Sequence, residues 1–207
     1  MARTDRRGLL KKGFKLGSLF REAIDEQSDE KRRIIEEKNM FRPPGAVAEK
    51  DFLDRCTKCN DCVDSCPYSV IYKHFDPESR TNQTPIISPA IDPCHFCEDF
   101  PCIEACETEA LVYPENDPAK KSEIKTGKAQ IMIDGCFTWM DTECDACIIE
   151  CPVDPKAIVL DKQGRARIRE SLCTGCGQCE QVCPMGDLAI KIVPLERVTP
   201  ESKLAED

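Results

Sequence analysis

Apolar residues along this chain come in short runs, each lying beside a polar, cysteine-bearing segment rather than inside a long amphipathic stretch. Val70 and Ile71 follow the first such segment, Ala110 to Val112 the second, Ala157 to Leu160 the third, and Ala189, Ile190, Ile192 and Val193 the fourth. Three of the segments are also preceded by an apolar run: Ile86, Ile87 and Ile91, then Ile131 to Ile133, then Ala166 and Ile168. Runs this short and this rich in β-branched residues predict strands. Between Ile158 and Ile168, the sequence from Asp161 to Arg165 reads as a hairpin turn, with Gly164 available for positive φ. The pattern repeats along the chain. Near the start, Leu9, Phe14, Phe20 and Ile24 alternate with Lys11, Lys12, Lys15 and Arg21, which predicts a short basic amphipathic helix. Such a helix either packs on its own domain or lies against a partner or a membrane surface. No run reaches the roughly 18 apolar residues of a transmembrane helix, so membrane association would be peripheral.

The cysteines fix the register of the repeat. All 16 fall into four quartets. Cys56, Cys59, Cys62 and Cys66 are spaced C-x2-C-x2-C-x3-C and followed by Pro67, and Cys173, Cys176, Cys179 and Cys183 repeat that spacing before Pro184. Cys94, Cys97, Cys102 and Cys106 widen the middle gap to four residues, with Glu107 in the proline position. Cys136, Cys144, Cys147 and Cys151 stretch the first gap to seven before Pro152. Disulfides, zinc and iron–sulfur clusters all use cysteine. Disulfide frameworks scatter their cysteines to staple distant loops of small secreted domains, unlike these compact groups. Zinc sites typically take two C-x2-C pairs across a spacer. A triple C-x2-C-x2-C instead wraps one 4Fe-4S cubane, and the last cysteine reaches a second one. The spacing therefore favours four 4Fe-4S clusters ligated by all sixteen cysteines, in an α+β fold of tandem bacterial-type two-cluster ferredoxin modules. Strand, turn, strand and quartet follow one another in that layout.

Composition agrees with a chain held by its cofactors. Hydrophobic residues make up 41% of the 207, but removing the cysteines leaves roughly a third, with one Trp and three Tyr. Little regular secondary structure and folding coupled to cluster insertion are expected. The formal charge of −9 disfavours nucleic acid, which needs its phosphates neutralised. Each cubane with its four thiolates adds about −2, taking the loaded protein to about −17. Gly175 and Gly177, flanking Cys176, suit a close approach of backbone to the cluster sulfurs. The segments expected are an N-terminal stretch at 1–45, a first module at 46–113, a polar linker at 114–130, a second module at 131–195 and a tail at 196–207.

The run from Arg42 to Ala46, the first quartet ending in Tyr68, the wide second quartet from Pro93 to Cys102 and the seven-residue gap of the third together resemble the MauM/NapG ferredoxin-type proteins. That resemblance covers about residues 41 to 195. It implies four 4Fe-4S clusters passing electrons from a membrane-bound quinol-oxidising partner toward a redox enzyme of the nitrate reductase or methylamine dehydrogenase systems. The start, Asp5-Arg6-Arg7-Gly8, looks like a twin-arginine export motif, but residues 25 to 38 carry ten charges in fourteen positions where an apolar stretch would be needed. A cytoplasmic location is therefore expected, with periplasmic export as the alternative. The start is also similar to that of cytoplasmic NapF-type ferredoxins.

No catalytic triad, phosphate loop or nucleotide fingerprint is visible, so the expected role is electron transfer between redox proteins without a substrate site of its own. Its donor or acceptor would be a membrane quinol dehydrogenase or a molybdenum enzyme. The competing role is a cytoplasmic maturation or binding factor for a molybdenum-type enzyme. His95, between two cysteines whose quartet is already complete, is expected beside the cluster or on the surface rather than as a ligand. His74 has no evident partner, and Trp139 is expected to be an apolar lid over the third quartet. Two pairings of the quartets are open. Each fourth cysteine crosses to a partner motif, either sequentially (first with second, third with fourth) or nested (first with fourth, second with third). The 21 residues between Cys151 and Cys173, against 29 between Cys106 and Cys136, favour the sequential arrangement.

Overall fold

The computed structural model describes residues 40–195 of the chain, apart from the side chains of 120–122. The basic amphipathic helix and the twin-arginine motif expected near the start, and the tail from 196, lie outside the described residues. Regular structure is sparse, as a chain with few apolar runs should have. The helices are α1 (Glu49–Arg55), α2 (Asp61–Asp64), α3 (Pro101–Glu104), α4 (Ala146–Ile149) and α5 (Gln178–Val182). The strands are β1 (Tyr72–Lys73), β2 (Pro85–Ile86), β3 (Lys128–Ile131), β4 (Ile158–Leu160), β5 (Ala166–Ile168) and β6 (Ile190–Val193).

The strands form three antiparallel pairs, and these reveal the repeat. In the second half, β4 and β5 make the expected hairpin with Ile158 opposite Ile168, while β3 and β6 bracket both quartets with Ile131 opposite Ile190. The hairpin turn is closed by Asp161: its N–H donates to the Arg165 carbonyl, and its Oδ1 accepts from the Gln163 and Arg165 N–H groups. In the first half, β1 and β2 are the corresponding hairpin, with Tyr72 opposite Ile86. A bridge between Ala46 and Leu111 replaces the outer pair, carried by N–H bonds from Val47 to Ala110 and from Val112 to Gly45. The segment around Ala46 is thus the strand equivalent that the apolar pattern leaves out before the first quartet. β3 begins at Lys128, inside the polar stretch 114–130, and short 3₁₀ turns at Pro114–Asn116 and Pro118–Glu123 precede it.

Two apolar clusters form the core. One gathers Phe52, Val70, Ile71, Ile87, Ile103 and Leu111 around cysteines of the first two quartets. The other gathers Ala129, Ala157, Ile158, Ile190 and Ile192 around cysteines of the last two. Phe41 packs against both. Arg42 anchors the entry to the first half. Its guanidinium makes a two-pronged ion pair with Glu49, at 2.9 and 2.5 Å, and donates to the Thr84 hydroxyl and the Pro85 carbonyl. It also lies 4.5 Å over the Phe52 ring, so the charge is capped by an aromatic face. The Arg-Pro-Pro-Gly run therefore has a packing reason as well as a family one.

Candidate iron–sulfur centre

Each quartet spans a tight loop leading into a single helical turn, and the turn separates its third and fourth cysteines. Cys62 lies within α2 with Cys66 just beyond its end, and Cys102 stands in the same relation to Cys106 on α3. Cys147 and Cys151 are placed likewise on α4, and Cys179 and Cys183 on α5. Helices α2 and α3 pack together, as do α4 and α5. One turn carries the fourth cysteine away from its own quartet toward the facing one, which brings it beside the partner's first three.

The thiols group accordingly into four sets. Burial pushes the Cys62 thiol up to about 12, followed by the charges of Cys106, Cys56 and Cys59, which defines a first set. A hollow lined by Cys56, Cys59, Cys62 and Cys106 lies between α2 and the loop after α3. Cys94 is also raised to about 12, by burial and then by Cys176, Cys97 and Cys66, with the Phe96 N–H acting the other way. Cys102 reaches about 12 through burial and then Cys94, Cys62, Cys66 and Cys97, so Cys66, Cys94, Cys97 and Cys102 form the second set. Burial lifts Cys147 to about 11, followed by Cys136, Cys144 and Cys183. That third set lines a hollow of its own. Cys179 is strongly raised by burial and then by Cys176, Cys173, Cys147 and Cys151, giving a fourth set of Cys151, Cys173, Cys176 and Cys179. The grouping is that of the sequential pairing, first quartet with second and third with fourth.

The donor chemistry fits iron–sulfur cubanes better than the alternatives. All sixteen cysteines are free thiols, so no disulfide staples the chain. Among the described residues, no group of three or more His, Cys, Asp or Glu closes tightly enough to hold a single metal ion. Four thiols spread around a hollow instead suit a group several atoms across. Crowded, buried thiols resist ionising, and a positively charged iron core reverses that by stabilising the thiolates directly.

In three of the four quartets the loops between cysteines carry paired positive-φ residues, and the third carries one, Asp141 at 55°. Gly175 and Gly177 adopt φ +75° and +97° in the fourth quartet, and Lys58 and Asn60 adopt 62° and 98° at the same places in the first. Phe96 and Phe100 do so in the second, at 47° and 41°. Such alternation aims successive N–H groups into one concavity, the arrangement that binds anions. Only the glycines hinted at it in sequence. Their tight approach is to other segments of the chain: a Cβ on Gly175 would lie 2.3 Å from the Gly127 carbonyl carbon, and one on Gly177 would lie 2.6 Å from Pro89. N–H groups also reach sulfur directly, from Leu111 to Cys106 Sγ and from Ala129 to Cys173 Sγ, both at 3.4 Å.

Other expectations resolve around these sets. His95 is exposed and stacks on Tyr68 at 3.7 Å between ring centroids, beside the second set. His74 holds the β1–β2 hairpin through its backbone, donating to Thr84 and accepting from Gln83. Glu107 is exposed, as is Pro67 at the matching place. Trp139 is not a lid on the third set. Phe137 and Thr138 line that hollow, whereas the Trp139 indole turns away, donates to the Ala166 carbonyl and lies under the guanidinium groups of Arg165 and Arg167 at 5.0 and 4.5 Å. The 3₁₀ turn at Phe137–Met140 decides this, because it sends neighbouring side chains to different sides. No described helix is long and apolar enough to cross a membrane.

Comparison with known proteins agrees with this geometry. A family model described as a 4Fe-4S dicluster domain matches residues 55–110 and again 142–186. A methylamine utilization ferredoxin-type protein MauM from Paracoccus denitrificans is 34% identical over 190 residues, covering 88% of this chain and 79% of that protein. The ferredoxin-type protein NapG of Escherichia coli is 32% identical over 167 residues, covering 75% of this chain and 71% of the relative. The ferredoxin-type protein NapF of the same organism is 28% identical over 151 residues, covering 71% and 82%. With two dicluster stretches and relatives that align along most of its length, the chain belongs to the MauM/NapG family of ferredoxin-type iron–sulfur proteins.

Proposed function

We propose that the chain binds four 4Fe-4S clusters, one in each thiol set, and relays single electrons between a quinol-linked or other redox donor and a redox enzyme. The observation that carries this reading is the gathering of sixteen free thiols into four sets of four, with none left over. The ligands are Cys56, Cys59, Cys62 and Cys106; Cys66, Cys94, Cys97 and Cys102; Cys136, Cys144, Cys147 and Cys183; and Cys151, Cys173, Cys176 and Cys179. When bound, a cubane takes up and returns one electron with little change of shape. The protein supplies thiolates held at fixed separation, inward N–H groups that temper the negative charge, and apolar neighbours such as Leu111 and Ile190 that keep water away. No substrate site is needed for that role.

The printed names of the relatives support a partner in methylamine utilization or a comparable redox system. A membrane quinol dehydrogenase and a molybdenum enzyme are the two partner classes we propose. The proposed location is the cytoplasm, the compartment that keeps sixteen thiols reduced until iron and sulfide are inserted. Anaerobically purified protein is expected to hold about sixteen iron and sixteen acid-labile sulfide per chain, as four cubanes require. Zinc without sulfide, or eight iron that no reconstitution raises, would sink the reading.

A further inference from the structure

Four clusters in four thiol sets, the reading on which this inference rests, can be wired in more than one order. Within each half the order is covalent: Cys62 and Cys66 belong to different sets one helical turn apart, and so do Cys102 and Cys106. The same holds for Cys147 with Cys151 and for Cys179 with Cys183. The first set is therefore adjacent to the second, and the third to the fourth.

Between the halves, one strip of contacts brings ligand-bearing loops against each other. The Cys94 N–H donates to the Cys176 carbonyl at 2.9 Å, putting a residue of the second set against one of the fourth. Pro89 packs so closely on Gly177 that no side chain fits there. The Gln181 amide then donates to the Ile91 carbonyl at 3.2 Å. These three contacts tie residues 89–94 to residues 176–181, which hold ligands of the two sets. Exposure supports the same order. All four thiols of the fourth set are buried, so it cannot meet a partner protein directly. Cys59 of the first set is exposed and each thiol of the third is partly so, whereas two of the second, Cys94 and Cys102, are buried.

We propose that the four thiol sets form a single conduction line in the order first, second, fourth, third, joined between the halves by the Cys94–Cys176 backbone contact, with the first and third sets as its ends. With clusters bound, each step would move one electron from the reduced cluster of one set to the oxidised cluster of its neighbour, with no bond broken and no proton transferred. At one end a reduced one-electron carrier loses its electron, and at the other an oxidised carrier accepts one.

The direct test is anomalous scattering at the iron edge from crystals of the iron-loaded full chain, which places the iron centroids without any variant. Four centroids are expected, with second to fourth the shortest separation between the halves and first to third the longest. Four centroids ranked otherwise would overturn the order while leaving the four-cluster reading intact. Fewer than four would overturn the four-cluster reading itself. A solution measurement stands beside it: electron paramagnetic resonance of the fully reduced full-length protein carrying Cys56→Ala and Cys59→Ala with Cys136→Ala and Cys144→Ala, which strips two thiols from each end set and leaves the second and fourth sets. Broadened, spin-coupled signals are expected from that variant. Two narrow, independent signals would contradict the joint, and if the variant holds no iron the scattering experiment on the unaltered chain decides.

Discussion

The first and fourth quartets share a spacing but differ at the position just after the second cysteine, and a swap there separates backbone conformation from packing. Asn60 sits at φ 98°, ψ −10°, and Gly177 at φ 97°, ψ −9°. Asparagine is thus shown by this chain to accept the conformation, and Gly177→Asn should cost little through its dihedrals. What it adds is a Cβ 2.6 Å from both the Pro89 Cβ and the Pro89 carbonyl oxygen, contacts that only a shift of the 89–94 strip can relieve. Forcing extra atoms into such a place costs about 1–3 kcal/mol. In a chain of this size that corresponds to about 2–12 °C in the unfolding midpoint. The reverse change, Asn60→Gly, loses an exposed side-chain hydrogen bond to Asp64 and some backbone restriction, and should stay within about 1 kcal/mol. The assay is anaerobic thermal bleaching of the iron–sulfur absorbance at one scan rate for both variants and the parent, since loss of clusters makes unfolding irreversible. If both variants bleach alike, the close packing of Pro89 on the Cys176 loop is not what glycine serves there.

Removing Arg42 should be costlier than an exposed ion pair suggests, because Arg42→Ala strips the buried Thr84 hydroxyl and the Pro85 carbonyl of a donor. About 1–3 kcal/mol of lost stability is expected in anaerobic denaturation, with Arg42→Lys recovering only part of it because lysine cannot grip Glu49 at two points. Cys56→Ala with Cys59→Ala should lower iron from about sixteen to about twelve per chain while the other three sets stay loaded, measured by metal and sulfide analysis. Residues 1–45 fused to a reporter that works only outside the cytoplasmic membrane should give no signal, whereas strong export would assign the protein to the periplasm.

Sequence made the chemistry legible because cysteine spacing is a direct record of ligand geometry: three cysteines two residues apart can reach one hollow, and the fourth, a helical turn on, must leave it. The β4–β5 hairpin was legible for a similar reason, with alternating apolar residues around Asp161 and Gly164. The outer pair of the first half was not, because Ala46 meets Leu111 through a single bridge flanked by Pro44 and Gly45, too short to show any period. The joint between the halves left no pattern either. Its contacts along residues 89–94 are a backbone hydrogen bond, a proline face against a glycine and one amide hydrogen bond, none of which has a hydropathic signature. Trp139 was misplaced because proximity to a ligand in sequence says little about direction once a 3₁₀ turn intervenes. The positive-φ residues Lys58, Asn60, Phe96 and Phe100 stayed hidden because glycine is the usual marker for that conformation and only the fourth quartet uses it.

Burial of the fourth set raises an electrostatic question that Glu180 makes testable. This residue follows Cys179, is 7% exposed, and holds the Ile192 N–H at 2.9 Å through Oε2. Burial raises its pKa, with the Ile192 N–H and the nearby Lys191 acting the other way and Asp187 adding to the rise. In the four-cluster reading, an ionised Glu180 opposes the arrival of an electron at the adjacent set, so the potential there is held down. Glu180→Gln removes the charge yet keeps an acceptor for Ile192, so the fold should be unaffected. Glu180 is the next residue after the ligand Cys179, so the charge removed is close to that set, although solvent screening weakens its effect. The potential of one of the four groups should therefore rise by tens of millivolts in an anaerobic redox titration followed by electron paramagnetic resonance. The sign with pH comes from the raised pKa. Above it, parent and variant differ fully; as the pH falls through it, Glu180 takes up a proton, the parent potential climbs, and the two converge. A variant whose potential stays with the parent across that range would show that Glu180 is a backbone clasp without electrostatic reach to the fourth set.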